Sequence, residues 1–129
     1  DLPLAEYKEH YKSIFEKYGL VNVFLITPQT SEERIRQIDA ASNAFIYMVS
    51  SATTTGVQQG FGSKQEQYFS RIGSLSLSNP KIVGFGISNA ATFSQATAEA
   101  KGAIIGSAFI KMLAKDGIDG ISNFLNTIR

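Results

Sequence analysis

Cysteine is absent from this sequence of 129 residues, which excludes a disulfide framework and any metal centre built on thiolates. Long apolar runs are absent as well. Stretches such as Val23-Phe24-Leu25-Ile26 fall far short of the about 20 residues that cross a bilayer as a helix, so no membrane association is expected. No charge of one sign dominates, since 12 Lys and Arg face 11 Asp and Glu for a formal net charge of +1. Without a basic block to track a phosphate backbone, nucleic acid is not an expected partner. The opening Asp1-Leu2-Pro3 has neither the basic nor the apolar region of a secretory signal, and a cytoplasmic location is the default expectation. The composition itself, 43% hydrophobic and 18% charged, suits one compact domain with its own core.

Short apolar, β-rich runs alternate with helical patterns. The runs are Val21 to Thr27, Phe45 to Val49, Ile82 to Phe85 and Ala103 to Ile105. They show little polar alternation, as expected of parallel strands buried on both faces. Tyr7, Tyr11, Ile14, Phe15 and Tyr18 repeat at helical spacing before Gly19, which is placed to end a helix. Thr30 with Glu33, and Ser63 with Glu66, read as capping boxes of two further helices. Ala90 to Lys101 is helical with Ser88 or Asn89 as its cap, and helices follow near Ala108 to Lys115 and Ile118 to Ile128. Asp116 and Asp119 read as caps of the last of these.

The resulting α-βα-βα-βα-βα order specifies a parallel sheet with helices outside it. A four-stranded open sheet fits this length; a (βα)₈ barrel requires about 250 residues, of which this chain is roughly half. Asp1-Leu2-Pro3 reads as the exit of a strand that is not in the chain, which favours the half barrel.

Two glycine-rich turns carry the chemical signal. The third strand runs into Gly84-Phe85-Gly86-Ile87-Ser88 and a helix; the fourth runs into Gly106-Ser107 and another helix. Glycine lets backbone N–H groups approach an anion closely, and a helix N-terminus adds free donors and a favourable dipole. Barrel enzymes often bind phosphate with the loops after their last two strands. The long polar segment Ser50 to Gly62 is either a solvated loop or a lid. His10, beside Lys8 and Glu9, belongs to a solvated face, and Glu32 and Glu33 suit the first turn of a helix.

Three segments, FIYMVSSATTTG, VGFGIS and GAIIGSAFIK, resemble the signatures of the tryptophan synthase alpha chain family, and DLPLAEY resembles the segment that leaves that family's fourth strand. The resemblance implies an α/β fold of the (βα)₈ TIM barrel type, with residues 1–129 forming the C-terminal half of one barrel domain: strands 5 to 8 with their helices, preceded by helix 4. It implies cleavage of indole-3-glycerol phosphate to indole and glyceraldehyde 3-phosphate in tryptophan biosynthesis. It also implies a partner, the pyridoxal-phosphate-dependent beta subunit, and no cofactor or metal on this chain. Carried over by motif, Gly56, Gly86, Gly106 and Ser107 offer N–H groups to the substrate phosphate. Tyr47, Phe85 and Leu25 line the indole pocket, Thr55 helps close a lid, and Asp1 and Pro3 face the beta subunit. Tyr47 without the resemblance reads as a core tyrosine.

The sequence departs from the family at the lid. Where the family commonly has Ser-Arg-x-Gly-Val-Thr-Gly, this chain has Ser50-Ser51-Ala52-Thr53-Thr54-Thr55-Gly56, which keeps the Thr-Gly step and loses the arginine. No strand run ends in Asp or Glu, so the acid/base pair that the cleavage needs is expected in a preceding N-terminal half, and no catalytic residue in this segment. Alone, the segment is expected to be inactive. A complementary N-terminal piece or a partner copy is expected at the unpaired strand edges. Another phosphate-binding barrel enzyme and a non-catalytic half-barrel module are the competing readings.

Overall fold

The computed structural model describes residues 2–50 and 62–128. Strands β1 (Phe24–Ile26), β2 (Ile46–Val49), β3 (Lys81–Gly84) and β4 (Gly102–Ile104) form one sheet, parallel throughout, in which spatial order equals chain order. Helices α3 (Glu32–Ala41), α4 (Ser63–Ser74) and α5 (Ala90–Thr97) make the three crossovers. Consecutive parallel neighbours joined by crossovers of one hand place every helix on the same face of the sheet. An open doubly wound sheet would place them on both. The topology therefore selects the barrel arc over the free-standing open sheet.

The registers explain the burial. Ile26, Met48 and Val83 lie side by side across three strands and are wholly buried. They join Ile35 and Ile38 of α3, Tyr68, Phe69 and Ile72 of α4 and Ala96 of α5 in one core cluster. Side chains alternate along a strand, so Leu25, Tyr47 and Ile82, also side by side, point to the opposite face. There Leu25 remains 38% exposed, and Tyr47 and Ile82 are half-buried. The strands are thus buried on one face only, contrary to the expectation drawn from their continuous apolar runs, because the described residues supply a single layer of helices.

The strands are shorter than their apolar runs. β2 begins at Ile46, which pairs with Phe24, so the ladder between β1 and β2 starts there and leaves Val21–Val23 outside β1. The first helical stretch opens as α1 (Leu4–Glu6), widens into a π-helical turn at Tyr7–Tyr11 and continues as α2 (Lys12–Lys17). Only part of its apolar stripe packs inward. Tyr7 meets Phe15 and Phe24 edge-on at ring-centroid distances of 5.5 and 5.3 Å, whereas Tyr11, Ile14 and Tyr18 are exposed. The remaining elements are α6 (Ser107–Asp116), a 3₁₀ turn at Ile118–Gly120 and α7 (Ile121–Ile128).

Several caps differ from their sequence assignments. Ser31, not Thr30, caps α3 by accepting from the Arg34 N–H. Thr30 instead folds back, its hydroxyl accepting from the Thr27 N–H at 2.9 Å. Gly62 precedes α4, and Ser63 is already helical, so the second capping box does not form. Asn89 is the cap of α5, in a reciprocal box with Thr92. Asp116 ends α6, and no side chain caps the 3₁₀ turn at Ile118–Gly120; Gly117, in the left-handed region at φ 65°, makes that reversal.

Two side-chain clamps fix the ends of the sheet. At the entry to β3, the Asp39 carboxylate accepts from the N–H groups of Ser78 (2.8 Å) and Asn79 (2.9 Å) and from the Asn79 side-chain amide (2.9 Å). Beyond β1, Arg71 of α4 donates to the carbonyls of Pro28 (3.0 Å) and Thr30 (3.2 Å), and Tyr68 donates to Ile26 O (3.2 Å).

Partial burial pushes the Asp39 carboxyl upward, but the hydrogen bonds from Ser78 and Asn79, with the nearby Lys81 charge, outweigh it and hold the group below its ordinary value. A carboxyl depressed in the folded state contributes stability that is complete above its unfolded pKa and lost as pH falls through its folded one. Asp39→Ala is therefore expected to cost about 1–3 kcal/mol at neutral pH. In urea unfolding, the gap between variant and parent should narrow below about pH 4; a gap independent of pH would contradict this account.

Candidate functional site

Because the strands are parallel, their C-terminal ends share one edge of the sheet, from which four segments of the chain leave. These segments, 27–31, 50–62, 85–89 and 105–106, contain no Asp, Glu, Lys, Arg or His. The edge can offer backbone N–H groups and hydroxyls, but no side-chain cation and no acid/base carboxylate. Among the described residues, no three His, Asp or Glu side chains converge as metal ligands.

The turn leaving β3 holds the one positive-φ residue other than glycine among the described residues. Phe85 has φ 69° and Gly86 φ 76°. For glycine the left-handed region is ordinary, but for an aromatic residue it is disfavoured by contact between Cβ and the backbone. The conformation turns Phe85 outward, where it is 49% exposed, and leaves Gly86 open to solvent. Ser50, wholly buried at the end of β2, reaches across: its N–H donates to Gly84 O at 3.1 Å and its hydroxyl to Phe85 O at 2.5 Å.

The helices that follow β3 and β4 differ in what their N-termini offer. At α5 three N–H groups around the cap are occupied. The Thr92 N–H goes to Asn89 Oδ1 at 2.9 Å, and the N–H groups of Ser88 and Asn89 go to Thr92 Oγ1 at 3.1 and 3.2 Å. At α6 the cap residue is Gly106, which supplies no side chain, and Gly106 and Ser107 are exposed. A Cβ placed on Gly106 would meet nothing within 4 Å. Among the described residues, nothing accepts from the N–H groups of Gly86, Gly106 and Ser107. The edge thus presents unengaged donors at Gly86 beyond β3 and at the start of α6 beyond β4, with the positive end of the α6 dipole behind them.

Beside these donors lies an aromatic surface. Tyr47 sits on the open face of the sheet next to Leu25 in register, and its ring meets Phe85 at 6.1 Å in an edge-on arrangement. Burial raises the Tyr47 phenol above its ordinary value, so it is neutral at physiological pH. The ring lies over Gly84, where an added Cβ would overlap the Tyr47 hydroxyl, Cζ and Cε1. Sequence reading placed Gly84 in a generic glycine-rich turn; its requirement is steric, for the aromatic ring one strand away.

Of the residues singled out from sequence, Leu25, Tyr47 and Phe85 fall together on the open face and its rim, and Gly86, Gly106 and Ser107 on the adjoining edge. Pro3 is exposed at the start of α1, its carbonyl accepting from the Tyr7 N–H at 2.9 Å. Asp1, Thr55 and Gly56 lie outside the described residues. His10 is solvated, 3.7 Å from Glu6 and 3.9 Å from Glu9. Sequence reading gave Asp39 and Arg71 no role and placed Ser50 at the start of a solvated loop or lid, whereas it is buried; each acts through a contact between residues at least 35 positions apart, which no local pattern marks.

Gly84→Ala is expected to destabilise the chain by about 1–3 kcal/mol through overpacking. In the Tyr47→Ala background the same methyl should cost little. A double-mutant cycle by chemical unfolding reads the coupling; additive effects would show that Tyr47 does not rest on Gly84.

The tryptophan synthase alpha chain family profile matches residues 1–127. The chain is 67% identical to the tryptophan synthase alpha chain of Flavobacterium johnsoniae over 129 residues, all of this chain and 51% of that protein. It is 56% identical to that of Christiangramia forsetii, over all of this chain and 50% of the relative. Among solved structures, a chain of the tryptophan synthase complex of Pyrococcus furiosus aligns at 26% identity with a TM-score of 0.78, over 99% of this chain and 51% of that one. The chain thus spans about half the length of the curated relatives it matches. On the profile match and the identity to these relatives, it belongs to the tryptophan synthase alpha chain family.

Proposed function

We propose that this chain is the substrate-phosphate half of a tryptophan synthase alpha barrel, whose complete form cleaves indole-3-glycerol phosphate to indole and glyceraldehyde 3-phosphate. The observation that carries this reading is the set of unengaged N–H donors at Gly86, Gly106 and Ser107, on neighbouring strand ends, beside an uncapped helix N-terminus. Such an arrangement holds an anion through backbone dipoles without a cation. The Ser107 hydroxyl adds a further donor, and Gly56 one more from the lid in which Thr55 sits. Tyr47, Phe85 and Leu25, on the adjoining apolar surface, take the indole ring.

Cleavage needs one group to remove a glycerol hydroxyl proton and another to protonate the indole carbon as the bond between them breaks. The edge of this sheet has no carboxylate, so the Glu and Asp of the reaction belong to the preceding half of the barrel. That half also supplies the strands that pair with β1 and β4 and the side chains that fill the open face. The beta subunit meets the complete barrel near Asp1 and Pro3 and receives the indole; pyridoxal phosphate is its cofactor, and this chain has none. The setting is the cytoplasm.

Neither this chain nor an N-terminal half of the family should release indole alone, and their mixture should. A folded, associated mixture that releases none would overturn the reading. Gly106→Ala in the assembled enzyme should leave stability within about 0.5 kcal/mol, since its Cβ meets nothing. It should raise KM roughly tenfold with little change in kcat, the signature of lost ground-state binding.

A further inference from the structure

Ser50 stands outside the proposed donor set, yet it holds the turn that presents Gly86. Its two bonds, N–H to Gly84 O and hydroxyl to Phe85 O, both run from the end of β2 to the backbone leaving β3. The residue is wholly buried. The carbonyl that accepts from the hydroxyl belongs to the peptide unit between Phe85 and Gly86, and the N–H of that same unit is the Gly86 donor. A trans peptide is planar, with its C=O and N–H pointing in opposite directions. Fixing the carbonyl toward β2 therefore fixes the N–H away from β2. Since β3 lies between β2 and β4, that is the side of β4, which is followed by Gly106 and Ser107.

We propose that Ser50 is a positioning residue for phosphate binding, its buried hydroxyl setting the direction of the Gly86 N–H by gripping the carbonyl of the same peptide unit. This rests on the phosphate reading above. Phe85 gives the grip a reason. An aromatic residue at φ 69° gains nothing locally from that conformation, so the turn needs an outside contact to keep it. Without the hydroxyl, the peptide between Phe85 and Gly86 can rotate as a unit. A rotated peptide presents its carbonyl oxygen where the donor stood and repels an anion. Ser50 thus acts on binding without touching the ligand.

The test is NMR on the assembled barrel, this chain ¹⁵N-labelled and an N-terminal half of the family unlabelled, titrated with inorganic phosphate, for the parent, Ser50→Ala and Ser50→Cys. Cysteine keeps the buried volume close to that of serine but is a weak donor, so it separates the hydroxyl from packing. In the parent, the Gly86 and Ser107 amide signals should shift with phosphate. In both variants the strand signals should stay in place, while the order parameter of the Gly86 N–H falls and phosphate affinity drops about tenfold. If Ser50→Ala fails to fold, Ser50→Cys decides alone. Parent amides that ignore phosphate would overturn the phosphate reading, and the role of Ser50 with it. A responsive parent, with Ser50→Cys binding as tightly and Gly86 as ordered as in the parent, would leave the phosphate site standing and overturn the role of Ser50.

Discussion

The row formed by Ile26, Met48 and Val83, sealed under α3, α4 and α5, is the contact on which the rest of the structure depends. Each of these side chains is wholly buried, a contribution of about 1.5–3 kcal/mol apiece. Strand side chains alternate with a period of two, so a slip of one residue in any strand would move its core residues to the open face. The row therefore sets the phase of the whole sheet. With that phase fixed, Leu25 and Tyr47 must lie on the open face, and the strand ends must fall at one level on the C-terminal edge.

The edge inherits its properties from this register. Ser50 meets Phe85 because β2 and β3 are paired from Ile46 with Lys81 to Val49 with Gly84. Tyr47 covers Gly84 because the two lie on adjacent strands, with only hydrogen at the glycine Cα to meet the ring. The electrostatics are equally constrained. The connecting segments carry no charged side chain, so the polar groups they bring to the edge are backbone, hydroxyl and side-chain amide groups. The two helix starts on this edge differ in their caps: Asn89 brings a side chain to the start of α5, and Gly106 brings none to the start of α6.

The open face and the two free strand edges follow from the barrel topology. In a barrel of eight strands the inner face is packed with layers of side chains and no edge is left unpaired. Here the described residues leave Val21 and Leu25 exposed beside one edge and Ile104 and Ile110 beside the other. This is the surface expected of an arc that spans about half the length of its relatives.

The order of elements, the four strands, the half-barrel arc and the glycine-rich turns beyond β3 and β4 were legible in the sequence. Each rests on local chemistry: apolar runs of strand length, helical periodicity, and glycine where backbone must turn or come close to a ligand. The capping box at Thr30 was misread because Ser31 adjoins it and takes the cap, and the one at Ser63 because the helix already begins there, after Gly62. Burial on both faces was overread, since apolar side chains record the face they can bury, not whether anything covers it. The left-handed Phe85, the grip of Ser50 on its carbonyl, the overlap of Tyr47 with Gly84 and the Asp39 and Arg71 clamps were decided by the tertiary structure alone. Each joins residues far apart in the chain, and only the register of parallel strands, fixed by the buried row, brings them within reach.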